Sequence, residues 1–420
     1  MMRYHPPPML LPFAAALAVS GAALAQECRP VRNGPVPRVR PQLESAAFWL
    51  ERWGPAADTR LLDADAVRAL DARLEQEGAR PPDLTIEGGM TIRDARHRLA
   101  AYVADAAAGV LAPAPEALAE ARAVVDGFRS GGAVRVVARP GHLRCIPTAK
   151  GLFRSPVDPE FDRNQCSGLH FGEPVREMGR SGDWSYVRTE SGSGWVFTQL
   201  LGPPLTHEES ARYSRTALQE AQFIVADSPP FRLGTRFPRV GTQILPPEGG
   251  RPVQAPAASH HGPLPFTRRE VFELAFTEYG EPYGWGDVNG HRDCSRLILD
   301  LLAPFGLGLG RNSFTQSQIG SEVLAVAALD DSAKRRAIVE AGTRGVLLLY
   351  FPGHIMLYLG HLDGHPWALS ALAEFVEPCA EGGEVIHRVD RVTVSDLELG
   401  RGTSRRAFIE RITALVVLGR

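Results

Sequence analysis

Residues 282–302 read PYGWGDVNGHRDCSRLILDLL, and this stretch decides the fold. Its first half, around Tyr283-Gly284-Trp285-Gly286, is glycine-rich and suits a tight loop. Its second half turns apolar at helical spacing through Leu297, Ile298, Leu301 and Leu302. Pro304 and Gly306 end that helix. Asp293 is a good N-cap, which puts Cys294 in the first helical turn. Unpaired backbone N–H groups and the helix dipole favour a thiolate there. Cys294 therefore reads as a nucleophile; the competing reading is a small buried cysteine opening a core helix.

A second stretch, residues 345–360, reads GVLLLYFPGHIMLYLG. Two apolar runs flank Pro352-Gly353, so His354 opens a strand after a turn. A histidine beside apolar residues is commonly a satisfied core side chain. Here it follows the cysteine from a different element, which suits a thiol–imidazole pair assembled by the fold. The imidazole takes the thiol proton and later protonates the leaving amine.

These blocks resemble the NlpC-type cell-wall peptidases, a papain-like family, in the subgroup with N-terminal SH3-like domains. The resemblance rests on Tyr283-Gly284-Trp285-Gly286, Asp293-Cys294-Ser295, Arg311-Asn312-Ser313 with Gln316, Gly353 to Gly360, and Val394-Ser395-Asp396-Leu397. It implies hydrolysis of peptide bonds in peptidoglycan stem peptides or muropeptides, with Cys294 as nucleophile and His354 as base. It puts Tyr283, Trp285, Asp293 and Ser295 on the substrate side of the site. Oxyanion stabilisation then comes from backbone N–H groups at the start of the Cys294 helix. Two positions depart from the family pattern. Arg296 stands where a glycine is usual, and is expected to narrow the cleft or add a charge contact. Ser370 stands where a polar residue, often histidine, orients the base. A wall-binding protein that keeps the fold with weak or no turnover is the alternative function.

The fold class expected is a multidomain α+β chain: an N-terminal helical region, one or two SH3-like β-barrels, and a C-terminal papain-like α+β domain over 263–420. Residues 26–132 read as an extended lead-in and a helical region. Leu62, Ala66, Ala69 and Leu70 recur at helical steps, as do Leu118, Ala121, Val125 and Phe128. Phe48, Trp49 and Trp53 read as core or as contact with a neighbour. Residues 133–203 carry β-branched runs and a Gly/Ser turn leading to Gly194-Trp195-Val196, the texture of an SH3-like barrel or of a generic β-meander. Residues 204–262 suit a second, reduced SH3-like unit with a hairpin within 234–247. A Pro-, Gly- and His-rich linker follows from Pro246 to Pro265, holding His260 and His261.

The 420 residues exceed one compact domain, and the net charge of −2 suggests no nucleic-acid partner. Arg3, the apolar run Met9–Leu24 and Ala23-Leu24-Ala25 read as a signal peptide over 1–25, with a membrane anchor as the alternative. The mature chain is then exported, periplasmic or extracellular, with no integral membrane span after cleavage. Export permits disulfides, and five cysteines leave one thiol free if the rest pair within the chain. Cys145 and Cys166 share one β-rich segment and suit a bridge; Cys28 and Cys379 remain as a pair by arithmetic alone. No cofactor and no metal are expected. No Cys-x-x-Cys spacing is present, and His361 and His365 flank a turn rather than one helix face.

Overall fold

The computed structural model describes residues 29–419. The proposed signal peptide and Cys28 lie outside the described residues. No helix among the described residues is long and apolar enough to cross a membrane.

The C-terminal region is built on a six-stranded antiparallel sheet. Its strand order is Glu322–Ala325, Ala414–Gly419, Gly345–Phe351, His354–Leu362, His365–Pro378 and Glu384–Asp396. Both faces are covered, which explains the unbroken apolar run Val346-Leu347-Leu348-Leu349. Side chains alternate along a strand. Val346 and Leu348 join one core with Leu297, Ile298 and Leu301, whereas Leu347 and Leu349 join another with Ile338 and Phe408. The helices Arg268–Thr277 and Cys294–Leu302 thus lie on one face, and Asp331–Arg344 and Phe408–Arg411 on the other.

The middle of the chain forms a seven-stranded sheet. Its hairpins Pro174–Ser181, Trp184–Thr189 and Ser193–Phe197 continue through Gly141–Arg144 to Gln165–Leu169. Cys145 and Cys166 form a disulfide there, their Cα atoms 5.2 Å apart. Cys294 is the free thiol among the described residues.

Two sequence expectations need correction. The helical region over 26–132 is not one unit. Leu43, Trp49 and Leu50, with Val67, Leu70 and Leu74 of the helix Ala64–Gln76, join the core around the Cys294 helix. The helices Ile92–Ala107 and Ala117–Asp126 instead pack on the barrel's Trp184, Tyr186 and Trp195. Amphipathic spacing reveals that a helix has an apolar face, not which neighbour covers it. It also misplaced one residue: Ala69 is exposed, and Val67 takes its place in the stripe. Secondly, the stretch read as a linker contains two short strands, Val253–Gln254 and Ser259–His261. They complete a five-stranded sheet with Ala221–Ile224, Arg236–Val240 and Gln243–Ile244, and His260 and His261 pair with Phe223 and Gln222. Strands of two or three residues are too short to show a period.

Candidate functional site

The site is organised by the first turn of the helix Cys294–Leu302. Asp293 caps it, accepting from the Arg296 N–H at 2.8 Å and the Ser295 hydroxyl at 3.0 Å. The Gly286 N–H donates to the other Asp293 oxygen at 3.0 Å, tying down the glycine-rich loop. Arg311 then clamps the turn. Its guanidinium donates to both Asp293 oxygens, at 3.1 and 2.9 Å, and to Ser295 Oγ at 3.0 Å. Gln316 donates to the Ser295 carbonyl at 2.8 Å.

Asp293 and Ser295 border the cleft, and their polar atoms carry hydrogen bonds within the protein that hold the turn in place. Arg311 was legible only as part of a motif, because nothing in its sequence neighbourhood names its carboxylate partner.

Cys294 is buried at 8% exposure and shares its cleft with His354. The backbone N–H groups of Ser295 and Ile355 reach its sulfur. Ile355 directly follows His354, so this contact brings the histidine's strand to the thiol. Phe351 and His354 are register partners across the turn at Pro352-Gly353, where Gly353 takes a left-handed φ of +91° that a side chain would strain. The imidazole lies 5.2 Å from the Phe351 ring and 5.7 Å from the Phe408 ring. Its Nε2 is 3.2 Å from Ser370 Oγ on the neighbouring strand, and Ser370 is buried.

The electrostatics differ from the sequence expectation of a stabilised thiolate. Burial pushes the Cys294 thiol up to about 12, and the Asp293 carboxylate adds to the rise. The two backbone N–H groups act against this and lose, because desolvation of a lone ion is the larger effect. Burial likewise pulls His354 down to about 3, helped by the Arg411 cation. Burial thus favours the uncharged form of each group.

The cleft encloses about 470 Å³ and has two unlike walls. One wall comes partly from the barrel, through Phe161, Gln165 and Cys166, and partly from Tyr283 and Trp285. Trp285 meets Phe161 edge-on at 5.4 Å and carries the Arg163 guanidinium 4.1 Å from its ring. Burial raises the Tyr283 hydroxyl well above its ordinary range, with Asp293 adding to the rise. The opposite wall is formed by Phe351, Phe408, Arg405 and Arg411.

Residues 280–405 match the NlpC/P60 family, and residues 152–197 match the SH3 domain of SH3b1 type. The chain carries an NlpC/P60 domain. Its structure is similar to that of an NlpC/P60 endopeptidase from Photobacterium damselae subsp. piscicida, with a TM-score of 0.73 and 13% identity over 93% of this chain and 99% of that one. At that identity the likeness shows the fold. An NlpC/P60 family protein from Bacillus cereus ATCC 10987 is also similar, with a TM-score of 0.45 and 15% identity over 69% of this chain and 100% of that one. No curated protein matches the chain.

The SH3 and NlpC/P60 domains meet through a buried knot of charge. Arg296, expected at the cleft, does not line it; its side chain turns into the domain interface. Its Nε donates to Asp300 at 2.7 Å, and its Nη2 meets His170 Nδ1 at 2.8 Å and Glu173 of the barrel. Arg292 donates to Asp300 at 2.7 Å, to Asp227 at 2.9 and 3.1 Å, and to Glu278. Asp287 is fully buried, with His170 Nε2 2.8 Å from its Oδ2. Burial alone would raise the Asp287 carboxyl, but His170 and Arg296 outweigh it and hold it low. Gly168 permits this approach: a Cβ there would stand 2.5 Å from Asp287 Oδ2. Burial raises Glu278 to about 7, with Asp227 and Asp300 adding to the rise and Arg292 opposing it. At the rim, Arg388 of the NlpC/P60 sheet joins Glu160 and Asp158 of the barrel and lies 5.1 Å from the Phe161 ring. The knot and this rim contact fix the barrel wall of the cleft relative to Cys294.

Proposed function

We propose that this chain is an exported cysteine peptidase that hydrolyses peptide bonds in peptidoglycan stem peptides. The NlpC/P60 endopeptidase fold supports a cell-wall peptidase. The observation that carries the cysteine mechanism is that Cys294 and His354 line one cleft, with His354 Nε2 3.2 Å from Ser370 Oγ.

With Nε2 turned to Ser370, Nδ1 is the His354 nitrogen left to accept the thiol proton. As Cys294 sulfur attacks the scissile carbonyl carbon, its proton passes to Nδ1. The carbonyl π electrons move onto oxygen, where backbone N–H groups at the helix start balance the charge. The C–N bond then breaks, and the imidazolium protonates the departing amine. A water molecule gives its proton to the imidazole and its oxygen to the thioester carbon. The thioester C–S bond breaks, the sulfur takes the proton back from the imidazolium, and a carboxylic acid leaves with the thiol restored. Burial favours the neutral form of both groups, so proton transfer accompanies attack.

Tyr283 and Trp285 line the substrate's path, whereas Asp293 and Ser295 act by holding the turn. The SH3 domain, through Phe161, Gln165 and the Arg163–Trp285 contact, restricts the cleft. Export rests on Arg3, the apolar run Met9–Leu24 and the small-residue pattern at Ala23-Leu24-Ala25. A second reading, wall binding with little turnover, is motivated by the two departures, Ser370 beside the base and Arg296 beside the nucleophile. Incubation with defined muropeptides and mass analysis of the products separates the two readings. Cleavage that disappears in Cys294→Ala supports hydrolysis; intact muropeptides that stay bound support the binding module.

A further inference from the structure

Three arginines and two carboxylates line the cleft: Arg311, Arg405 and Arg411 against Asp293 and Glu374. Two of the cations are matched. Arg311 forks onto Asp293 at 2.9 and 3.1 Å, and Arg405 donates to Glu374 at 2.5 Å. Glu374 is shared further, accepting from Arg388 at 2.8 Å.

Arg411 is different. Among the described residues it forms no ion pair, and its contacts are aromatic. Its guanidinium carbon sits 3.9 Å from the Phe351 ring centre and 5.8 Å from that of Phe408. Those two rings lie 5.2 Å apart, and both flank His354. The ring faces hold the cation by its charge and leave the in-plane N–H fork unused. Arginine keeps its charge under burial, so the half-buried group remains a cation facing the cleft. An unused planar fork of donors in a partly dry cleft matches a carboxylate, which can accept two parallel hydrogen bonds.

We propose that Arg411 binds a free carboxylate on the leaving half of the cleaved peptide, and so sets which stem peptides this chain accepts. The placement follows from His354. The imidazole hands its proton to the leaving amine, and Arg411 stands on the same pair of rings that brace that imidazole. The proposal rests on the peptidase reading above, and specifies which substrates that site takes.

Two synthetic stem peptides test it, identical except that the residue released by cleavage carries a free carboxylate or a carboxamide. One charge-assisted contact contributes roughly a tenfold preference. The full-length protein should cleave the acid about tenfold better in kcat/KM. Arg411→Gln should abolish that preference mainly by raising KM for the acid, and Arg411→Lys should retain part of it. Equal cleavage of the two peptides by the unaltered protein overturns the proposal.

A second measurement does not need a peptide substrate. Alkylation of Cys294 by iodoacetate and by iodoacetamide compares an anion with its neutral analogue at one sulfur. The ratio of their rates should fall several-fold in Arg411→Gln and less in Arg411→Lys. Because it is a ratio, any general change in thiol reactivity cancels, and a melting curve checks that the variant folds. If neither peptide is cleaved, the peptidase reading fails. The alkylation ratio then decides the role of Arg411 by itself: a fall supports an anion-binding wall, and no change overturns it.

Discussion

Cys294 and Arg296 stand in the first turn of one helix and face opposite surroundings. On the cleft side, burial keeps a lone thiol and a lone imidazole uncharged. On the interface side, buried arginines and carboxylates are set among opposite charges, which hold the Asp287 carboxyl low although burial raises Glu278. The difference shows what burial does: it neutralises an isolated group, but sustains an ion whose partners replace water. One turn thus carries an uncharged reaction pair and the charged anchor that fixes where the pair sits.

Four changes break or sharpen this contrast. The largest effect belongs to the cleft side. His354→Gln removes the proton acceptor and should lower kcat by about 10²–10⁴-fold, measured on a defined stem peptide. The fold should survive, since the Phe351 and Phe408 rings remain packed. On the interface side, Arg296→Ala leaves Asp300, Glu173 and Asp287 without a shared cation. It should cost about 3–5 kcal/mol in denaturant unfolding. If Arg296→Ala leaves stability unchanged, the knot is not the anchor described here.

Ser370→Ala should cost only about 2- to 12-fold in kcat, because it removes one neutral hydrogen bond to the base. A loss as large as that of His354→Gln would give Ser370 a larger part than orienting the ring.

The smallest effect concerns pH. His354 is held at about 3, below its ordinary 6.5, so it remains an acceptor in mildly acid solution. Cleavage should persist at about pH 5, where an unperturbed histidine would be mostly protonated. The same shift affects stability. The folded protein binds this proton less readily than the unfolded chain. The contribution is therefore complete above pH 6.5 and is lost as pH falls from 6.5 toward about 3. Comparing urea midpoints of the unaltered protein and His354→Gln between pH 7 and 4 isolates it. Parallel curves would contradict the buried, neutral imidazole.

The same contrast explains what could be read from sequence. Local rules act on neighbours in the chain. The Asp293 cap and the apolar spacing after it point to a helix start at Cys294, and the helix begins there. The Pro352-Gly353 turn points to a strand opening at His354, and the strand opens there. The bridge between Cys145 and Cys166 falls within one barrel segment and is present. Whatever depends on partners distant in the chain was not legible. Arg296 reads as narrowing the cleft or adding a charge contact, and only the fold shows that the contact is made with His170 and Glu173 of the barrel. The Phe161 and Arg163 wall, the division of the N-terminal helices between two cores, and the unpaired state of Arg411 are likewise products of packing. The helix start is visible in the sequence, but the burial that outweighs it is not.

The central claim is that Cys294 is the attacking group of a peptidase. Purified Cys294→Ala and the unaltered protein are incubated with the same set of muropeptides, and the products are weighed by mass spectrometry. The account predicts fragments that differ from their parent by one added water across a stem-peptide bond with the unaltered protein, and none with Cys294→Ala. Equal amounts of those fragments from both proteins would contradict it.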